Sequence, residues 1–228
     1  MILSRKINLI VVLFTVLLVS SCHKITRSGI DEGIMKYEIT YLEDKANNPL
    51  ISLLPSHLDM HFKNNSVLLC VEGWMGIFES AFIKQAETGE FITTLKIMNK
   101  KYYYKSDTVE GFMGDTKYLN LEFSFDEEVK QILDYDCKHA KVFVPSNNVT
   151  FDLYYTTDIS VEEPNKNTVF EEVPGVLMEF QVEMNGIPMH LIATELTEKE
   201  IPDDDFYIPS GYKEVEKQEV DTIFSSIM

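Results

Sequence analysis

The segment His57-x-Asp59-x-His61 contains residue types that ligate metal ions. The intervening residues are apolar, and this alternation is typical of a β-strand with one buried face. On such a strand both imidazoles and the carboxylate share a face, and His139 or His190 would complete a ligand set for Zn²⁺ or a similar ion. The alternative is that these residues form the solvated face of a strand whose apolar residues point inward.

Nothing else in the sequence indicates catalysis. A GxSxG nucleophile motif is absent, and the adjacent acidic pairs would point to opposite faces of a strand, which prevents them from acting together. Cys137 precedes His139 by two residues and would share a strand face with it, but a disulfide or a core cysteine explains that spacing equally well. We therefore expect no enzymatic activity and no cofactor.

Aromatic and methionine residues are unusually dense between positions 73 and 82, and a second group follows at 102–113. Such side chains adapt to apolar ligands such as acyl chains. Ordinary core packing is the alternative for both groups. The candidate ligand-binding residues are Trp74, Met75, Phe78, Phe82, Tyr103 and Phe112.

The composition excludes several classes of protein. The 228 residues include 37 Asp and Glu against 20 Lys and Arg, which gives a formal net charge of -17 and argues against nucleic-acid binding. With 45% hydrophobic residues the chain is long enough to bury a sizeable core. We expect one folded domain.

The amino terminus has the pattern of a secretory signal. Arg5 and Lys6 precede a short apolar run at residues 7–19, and small residues follow it. The run is too short to span a bilayer. Residues 19–22, with the sequence VSSC, resemble a bacterial lipobox, which implies acylation of Cys22 and attachment to the membrane by its acyl chains.

Two other cysteines, Cys70 and Cys137, would then lie in an oxidising compartment, where one intramolecular disulfide can form. Two separate buried thiols are the alternative. The absence of a CxxC pair leaves a redox or zinc-ribbon motif without support.

From residue 34 onward, alternating β-branched and aromatic residues separated by short turns predict ten or eleven antiparallel strands. Turns are predicted at Asn64-Asn65, Asn99-Lys100 and Asn185-Gly186. Residues 49–54 are expected to form a single helical turn, and residues 126–133 are expected to be strand rather than helix. The last residues, 215–228, show weak helical spacing and are expected to be a mobile tail.

Seven segments taken in order resemble uncharacterised lipoproteins of the Bacteroides group. They are residues 33–42, 60–65, 99–107, 132–142, 154–159, 174–180 and 208–215. These lipoproteins are related to the Gly-Leu-Pro-Gly-Leu-Ile family and are similar to the LolA-like superfamily of lipoprotein carriers. The resemblance implies a mainly β fold, in which one strongly curved antiparallel sheet forms a half-barrel with few short helices. It also implies that the concave face holds an acyl chain or another lipoprotein.

Together these observations predict a signal peptide at residues 1–21, a tether at 22–33, a β domain at 34–214 and the tail. The expected protein is an envelope lipoprotein, anchored in the outer membrane and facing the periplasm, that binds a lipid or acyl chain without enzymatic chemistry. The alternatives are a protein-interaction module with a filled core and, more weakly, a metal-dependent enzyme using His57, Asp59 and His61.

Overall fold

A computed structural model describes residues 29–43, 49–73, 76–106, 118, 120–184 and 187–225. Twelve strands form one sheet in these residues. The strands are β1 (Glu32–Tyr41), β2 (His57–Lys63), β3 (Ser66–Gly73), β4 (Phe78–Lys84), β5 (Phe91–Ile97), β6 (Lys100–Ser106), β7 (Glu122–Ile132), β8 (Tyr135–Val144), β9 (Val149–Thr156), β10 (Val176–Met184), β11 (Ile187–Glu198) and β12 (Lys213–Glu214).

The sheet has the strand order β12-β6-β5-β4-β3-β2-β1-β11-β10-β9-β8-β7 and is not closed into a barrel. All neighbouring strands are antiparallel except β12, which pairs with β6 in parallel. Helices are few. Short 3-10 helices span Pro49–Leu53 and Asp203–Phe206, and an α-helix spans Lys217–Ser225. The prediction of a mainly β fold with one open antiparallel sheet is confirmed.

Two of the predicted asparagine turns join neighbouring strands in the described residues. Asn64 and Asn65 both adopt positive φ angles, 47° and 68°, as a two-residue turn between twisted strands requires. The turn after β5 instead takes its positive φ at Met98, at 52°, one residue before the asparagine. The predicted turn at residues 185–186 lies outside the described residues.

Alternating apolar residues bury one face of each strand. On β2, Leu58, Met60 and Phe62 are buried while His57 is exposed. The register carries this face across the sheet, because Met60 lies opposite Met35 of β1 and opposite Leu69 of β3. We call this buried side the concave face and the opposite side the convex face.

Strong curvature brings distant strands together over the concave face. Phe82 of β4 and Phe180 of β10 line the same cavity although five strand spacings, about 24 Å in a flat sheet, separate their strands. Phe170 likewise contacts both Phe123 of β7 and Phe180, with ring centroids 6.5 and 5.7 Å apart. One sheet therefore encloses most of its own core.

The connection between β9 and β10, residues 157–175, covers the concave face, and we call it the covering segment. Its side chains Ile159, Phe170 and Val173 are almost completely buried in the main core. A parallel bridge joins Ile159 to Ile30, just before β1. A long connection without regular structure is unusual inside a compact domain and is often functional.

A second, smaller core lies on the convex face. Ile83 and Ile92 pack there against Ile201 and Phe206 of the segment that follows β11. The same segment then supplies β12, which pairs with the outer edge of β6.

Three local expectations can be compared directly with the structure. Residues 126–132 are strand, as predicted, while Leu133 lies in the following turn, and the predicted turn near residue 49 is a 3-10 helix. The two-residue strand β12 was not predicted, and most of the expected mobile tail is the helix Lys217–Ser225, whose Val220 is buried in the main core. Apolar contact of Val220 holds this helix against the domain.

Of the two alternatives for Cys70 and Cys137, the disulfide is not formed. Both cysteines are free, and they lie on β3 and β8, which are separated in the sheet by five other strands. Cys137 is buried and Cys70 is partly buried. Each thiol is therefore an isolated apolar group, which was the alternative interpretation.

The predicted signal peptide, the predicted lipobox and Cys22 lie outside the described residues. None of the helices in the described part of the chain is long and apolar enough to cross a membrane.

Candidate functional site

The structure does not bring His57, Asp59 and His61 together as a metal site. All three lie on the convex side of β2, but His57 Nδ1 is 2.8 Å from Ser56 Oγ and His61 Nδ1 is 3.2 Å from Asp205 Oδ2. Their ligand atoms are too far apart to meet on one ion, because within the described residues only a different set of three has all its ligand atoms within 4.8 Å. The metal hypothesis for these residues is wrong, and the solvated-face alternative fits the structure.

The predicted apolar binding residues have different outcomes. Phe78 and Phe82 are buried on the concave side of β4, and Phe82 lines a cavity there. Tyr103 lies on the convex side, where its hydroxyl donates to Glu214 over 3.1 Å, so it does not join this cavity. Trp74, Met75 and Phe112 lie outside the described residues.

The cavity lies between the concave face and the covering segment. Its apolar wall comes from strands β1 to β5 and β10, and its polar residues come from β4 and the covering segment. The lining residues are Tyr37, Leu58, Met60, Val67, Leu69, Phe82, Lys84, Phe91, Pro164, Asn165, Lys166, Thr168, Phe170, Val176, Leu177 and Phe180. Except for Phe82, none was predicted from the sequence to bind a ligand, because they meet only when the sheet curves.

Two lysines stand at the polar side of the cavity. Lys84 Nζ donates to the backbone carbonyl of Glu163 over 2.6 Å, and Lys166 Nζ is 2.6 Å from Glu163 Oε2. Burial lowers the pKa of Lys84, and the nearby charge of Glu163 offsets only part of that effect. A partly buried ammonium beside an apolar wall is suited to an anionic group that replaces lost hydration.

Buried hydrogen bonds hold the covering segment in place. Asn165 is 6% exposed, and its Nδ2 donates to the carbonyls of Val173 and Gly175, each over 2.8 Å. Glu162 N donates to Asn65 Oδ1 in the turn after β2. The segment is therefore fixed both to itself and to the sheet.

The free space in the cavity is about 50 Å³. That is room for a few water molecules, whereas preformed pockets for small molecules usually measure about 300–1,000 Å³. A ligand larger than one apolar side chain can enter only if the covering segment moves.

The convex side of β7 to β11 carries a separate polar cluster. His139 of β8 is 3% exposed, and its ring lies 5.0 Å from that of Tyr154. Burial alone would lower its pKa, but hydrogen bonds to Asp126 and Asp152 and the nearby charges outweigh burial and raise it. The set with all ligand atoms within 4.8 Å is Asp126, Glu128 and His139.

One feature of the sequence points to the irregularity in β7 that forms this cluster. In β7 the apolar alternation at Phe123 and Phe125 is interrupted by three acidic residues before Val129. An interruption of this kind indicates a β-bulge. The partners on β8 and β9 were not predictable, because strand register decides which residues they face.

Comparisons with known proteins identify the fold and little else. No protein-family model and no curated protein sequence matches the chain. Two crystal structures of PNGF-II, in space groups C2 and P21, are similar to it with a TM-score of 0.53 and 16% sequence identity. The similarity covers 86% of this chain but only 33% and 34% of PNGF-II. The chain thus spans about a third of PNGF-II, and the likeness concerns the fold alone.

Proposed function

We propose that the protein is a non-enzymatic lipoprotein of the cell envelope that binds a hydrophobic ligand, a lipid or an acyl chain, between the concave face and the covering segment. The observation that carries the proposal is the apolar cavity with Lys84 and Lys166 at its polar side. Apolar contact supplies about 25 cal/mol per Å² of buried surface and needs no covalent chemistry.

The arrangement of polarity favours an amphiphilic ligand. Phe82, Phe180 and Leu177 offer only apolar surface, whereas both lysines lie where the covering segment meets β4. The formal net charge of the chain is -17, so two neighbouring lysines beside an apolar wall form a local group of positive charge on an acidic protein. Such a group suits an anionic head group.

Entry requires the covering segment to open. The bond between Lys84 and the carbonyl of Glu163 is one of the contacts that hold the segment over β4. A ligand anion that binds Lys84 would replace this contact, so that ligand binding and opening favour each other. The small volume of the cavity is then a property of the closed protein.

The location rests on the sequence. The signal-like segment and the lipobox support acylation at Cys22 and attachment to the outer membrane on its periplasmic side. An acidic body is repelled by anionic lipid head groups, so the acyl chains provide the attachment.

Native mass spectrometry with lipid extraction tests the proposal. The protein is purified without detergent, examined for bound lipid, and then titrated with palmitate as the probe. We expect a co-purifying lipid or a one-to-one palmitate complex. An unliganded mass that palmitate does not change would contradict the proposal and favour a packed sheet that docks a partner protein.

Two substitutions on neighbouring residues of β3 make the test specific. Leu69 lines the cavity, and Leu68 packs on the convex face, although both are partly buried. Leu69→Trp should fill the cavity and abolish palmitate binding, while Leu68→Trp should leave it unchanged. Equal effects of the two variants would show that palmitate binds elsewhere.

A further inference from the structure

An irregularity in β7 creates a pocket of ligating side chains on the convex face. The register of β7 against β8 pairs Phe125 with Ala140 and Val129 with Lys138. Residues 126–128 therefore lie opposite the single residue His139. This bulge directs Asp126 and Glu128 towards the imidazole, which a regular strand would not do.

The three side chains offer two carboxylates and one imidazole in a compact arrangement. Asp126 Oδ2 is 2.9 Å from His139 Nδ1, and one ligand atom from each of Asp126, Glu128 and His139 lies within 4.8 Å of the others. Oxygen and nitrogen atoms at such separations can bind one ion with metal–ligand distances near 2.0–2.2 Å.

The opposite side of the imidazole is held by a further carboxylate. Asp152 Oδ1 of β9 lies 3.1 Å from His139 Nε2, and it accepts the proton of that nitrogen. This contact points the Nδ1 side of the ring towards Asp126 and Glu128. A carboxylate that orients a histidine through its second nitrogen is a common feature of metal sites.

The two carboxylate ligands are oriented as well. Tyr154 donates its hydroxyl proton to Glu128 Oε1 over 2.8 Å, and the backbone N–H of Glu128 donates to Asp126 Oδ1 over 2.9 Å. Each of the two carboxylates therefore keeps one oxygen that these two hydrogen bonds do not use. Asp126 and Asp152 have about half of their side-chain surface exposed, so an ion can reach the cluster from solvent.

The charges around the cluster also favour a cation. Asp126, Glu128 and Asp152 surround one imidazole. Of the nearby cations, Lys130 pairs with Glu179 and lies over the Tyr154 ring, 4.8 Å from its centroid, and Lys141 is close enough for its charge to act on Asp126.

We propose that Asp126, Glu128 and His139 bind a divalent transition-metal ion of the Zn²⁺ type, with Asp152 and Tyr154 as positioning residues. The ion takes the place of the proton on His139 Nδ1, which is released to solvent, and water fills the remaining coordination positions. This inference does not depend on the hydrophobic ligand, because the cluster lies on the other face of the sheet.

Isothermal titration of the metal-stripped protein with Zn²⁺ at pH 7.5 tests the site. We expect one Zn²⁺ per chain and much weaker binding of Ca²⁺, which prefers oxygen ligands. Asp126→Asn and Glu128→Gln should each weaken Zn²⁺ binding more strongly than Asp152→Asn, for which a loss of about 10–100-fold is expected.

Glu127→Gln is the matched control, because Glu127 is an exposed carboxylate in the same bulge but is not part of the set. It should leave the affinity for Zn²⁺ unchanged. Thermal unfolding of each metal-free variant verifies that it is folded, which matters most for the buried His139. Absence of stoichiometric Zn²⁺ binding, or equal losses for Glu127→Gln and Glu128→Gln, would overturn the proposal and leave His139 as an ion-paired imidazolium.

Discussion

The concave and convex faces of the sheet are built on different principles. The concave face contributes apolar side chains from β1 to β11 to one continuous core under the covering segment. The convex face has a small apolar core over β4 and β5, while its half on β7 to β11 carries polar contacts such as the ion pair of Lys130 with Glu179. Because one face already buries enough apolar surface, the other can hold polar groups and their chemistry.

The largest expected difference concerns the two cores. Phe180→Ala on the concave face should lower the free energy of unfolding by about 3–5 kcal/mol, because the surrounding strands cannot close the cavity. Phe206→Ala should cost less, since its smaller cluster lies under a surface segment that can relax. Urea unfolding followed by circular dichroism measures both. Equal losses would remove the distinction between the two cores.

The two thiols test burial at two separate places in the sheet, on β3 and on β8. Burial, with the nearby charges of Asp59 and Glu79, raises the pKa of Cys70 to about 12, and burial raises the pKa of Cys137 to about 11. The thiolate of Cys70 is then about a thousandfold rarer than that of an ordinary cysteine of pKa 9.0, an effect partly offset by its greater nucleophilicity.

In a Cys22→Ser variant at pH 8, we therefore expect iodoacetamide to alkylate Cys70 roughly fiftyfold more slowly in native protein than in urea. The native rate should rise with pH without a plateau below pH 10, because both thiols are still protonated there. Mass spectrometry of the modified peptides measures each site. Rapid modification of either cysteine at pH 8 would contradict this interpretation.

Asn165 tests how the concave face is covered. Asn165→Ala removes both hydrogen bonds to the carbonyls of Val173 and Gly175, and it should cost about 1–3 kcal/mol. Asn165→Asp, which has nearly the same shape but donates no proton, should cost at least as much. Denaturant unfolding and limited proteolysis at residues 157–175 measure the effect. If the Asp variant is as stable as the wild type, the donor role is wrong.

The smallest effect is expected at a solvated pair on the convex face. Lys36 Nζ lies 3.3 Å from Glu195 Oε2, and both side chains are about half exposed. Lys36→Ala should change the free energy of unfolding by less than about 1 kcal/mol, and added salt should reduce the difference further. A larger loss, insensitive to salt, would show that the convex face contributes more than its exposure indicates.

The features that could be predicted from the sequence are those that depend on residues close together along the chain. Alternation placed Leu58, Met60 and Phe62 inside, and Asn64-Asn65 marked a turn, because both signals are local. It did not predict β12, since two residues carry no periodicity.

The same limit applies to the candidate sites. Phe82 was identified from the local density of aromatic and methionine residues. Lys84 and Lys166 could not be identified in this way, because only the fold of the covering segment brings them to the same cavity. The sequence suggested His139 as an additional metal ligand beside His57, Asp59 and His61 of β2. Only the register of β8 with β7 and β9 shows that His139 instead faces Asp126 and Asp152.

The parallel bridge between Ile30 and Ile159 gives the molecule a mechanical connection. Ile30 lies eight positions after Cys22, and the backbone N–H of Ser160 donates to its carbonyl over 2.8 Å. A force applied at Cys22 is therefore transmitted through Ile30 to the covering segment before it reaches β1 at Glu32. For a protein attached to a membrane at Cys22, tension in the tether would load the cover of the cavity first and the sheet only afterwards.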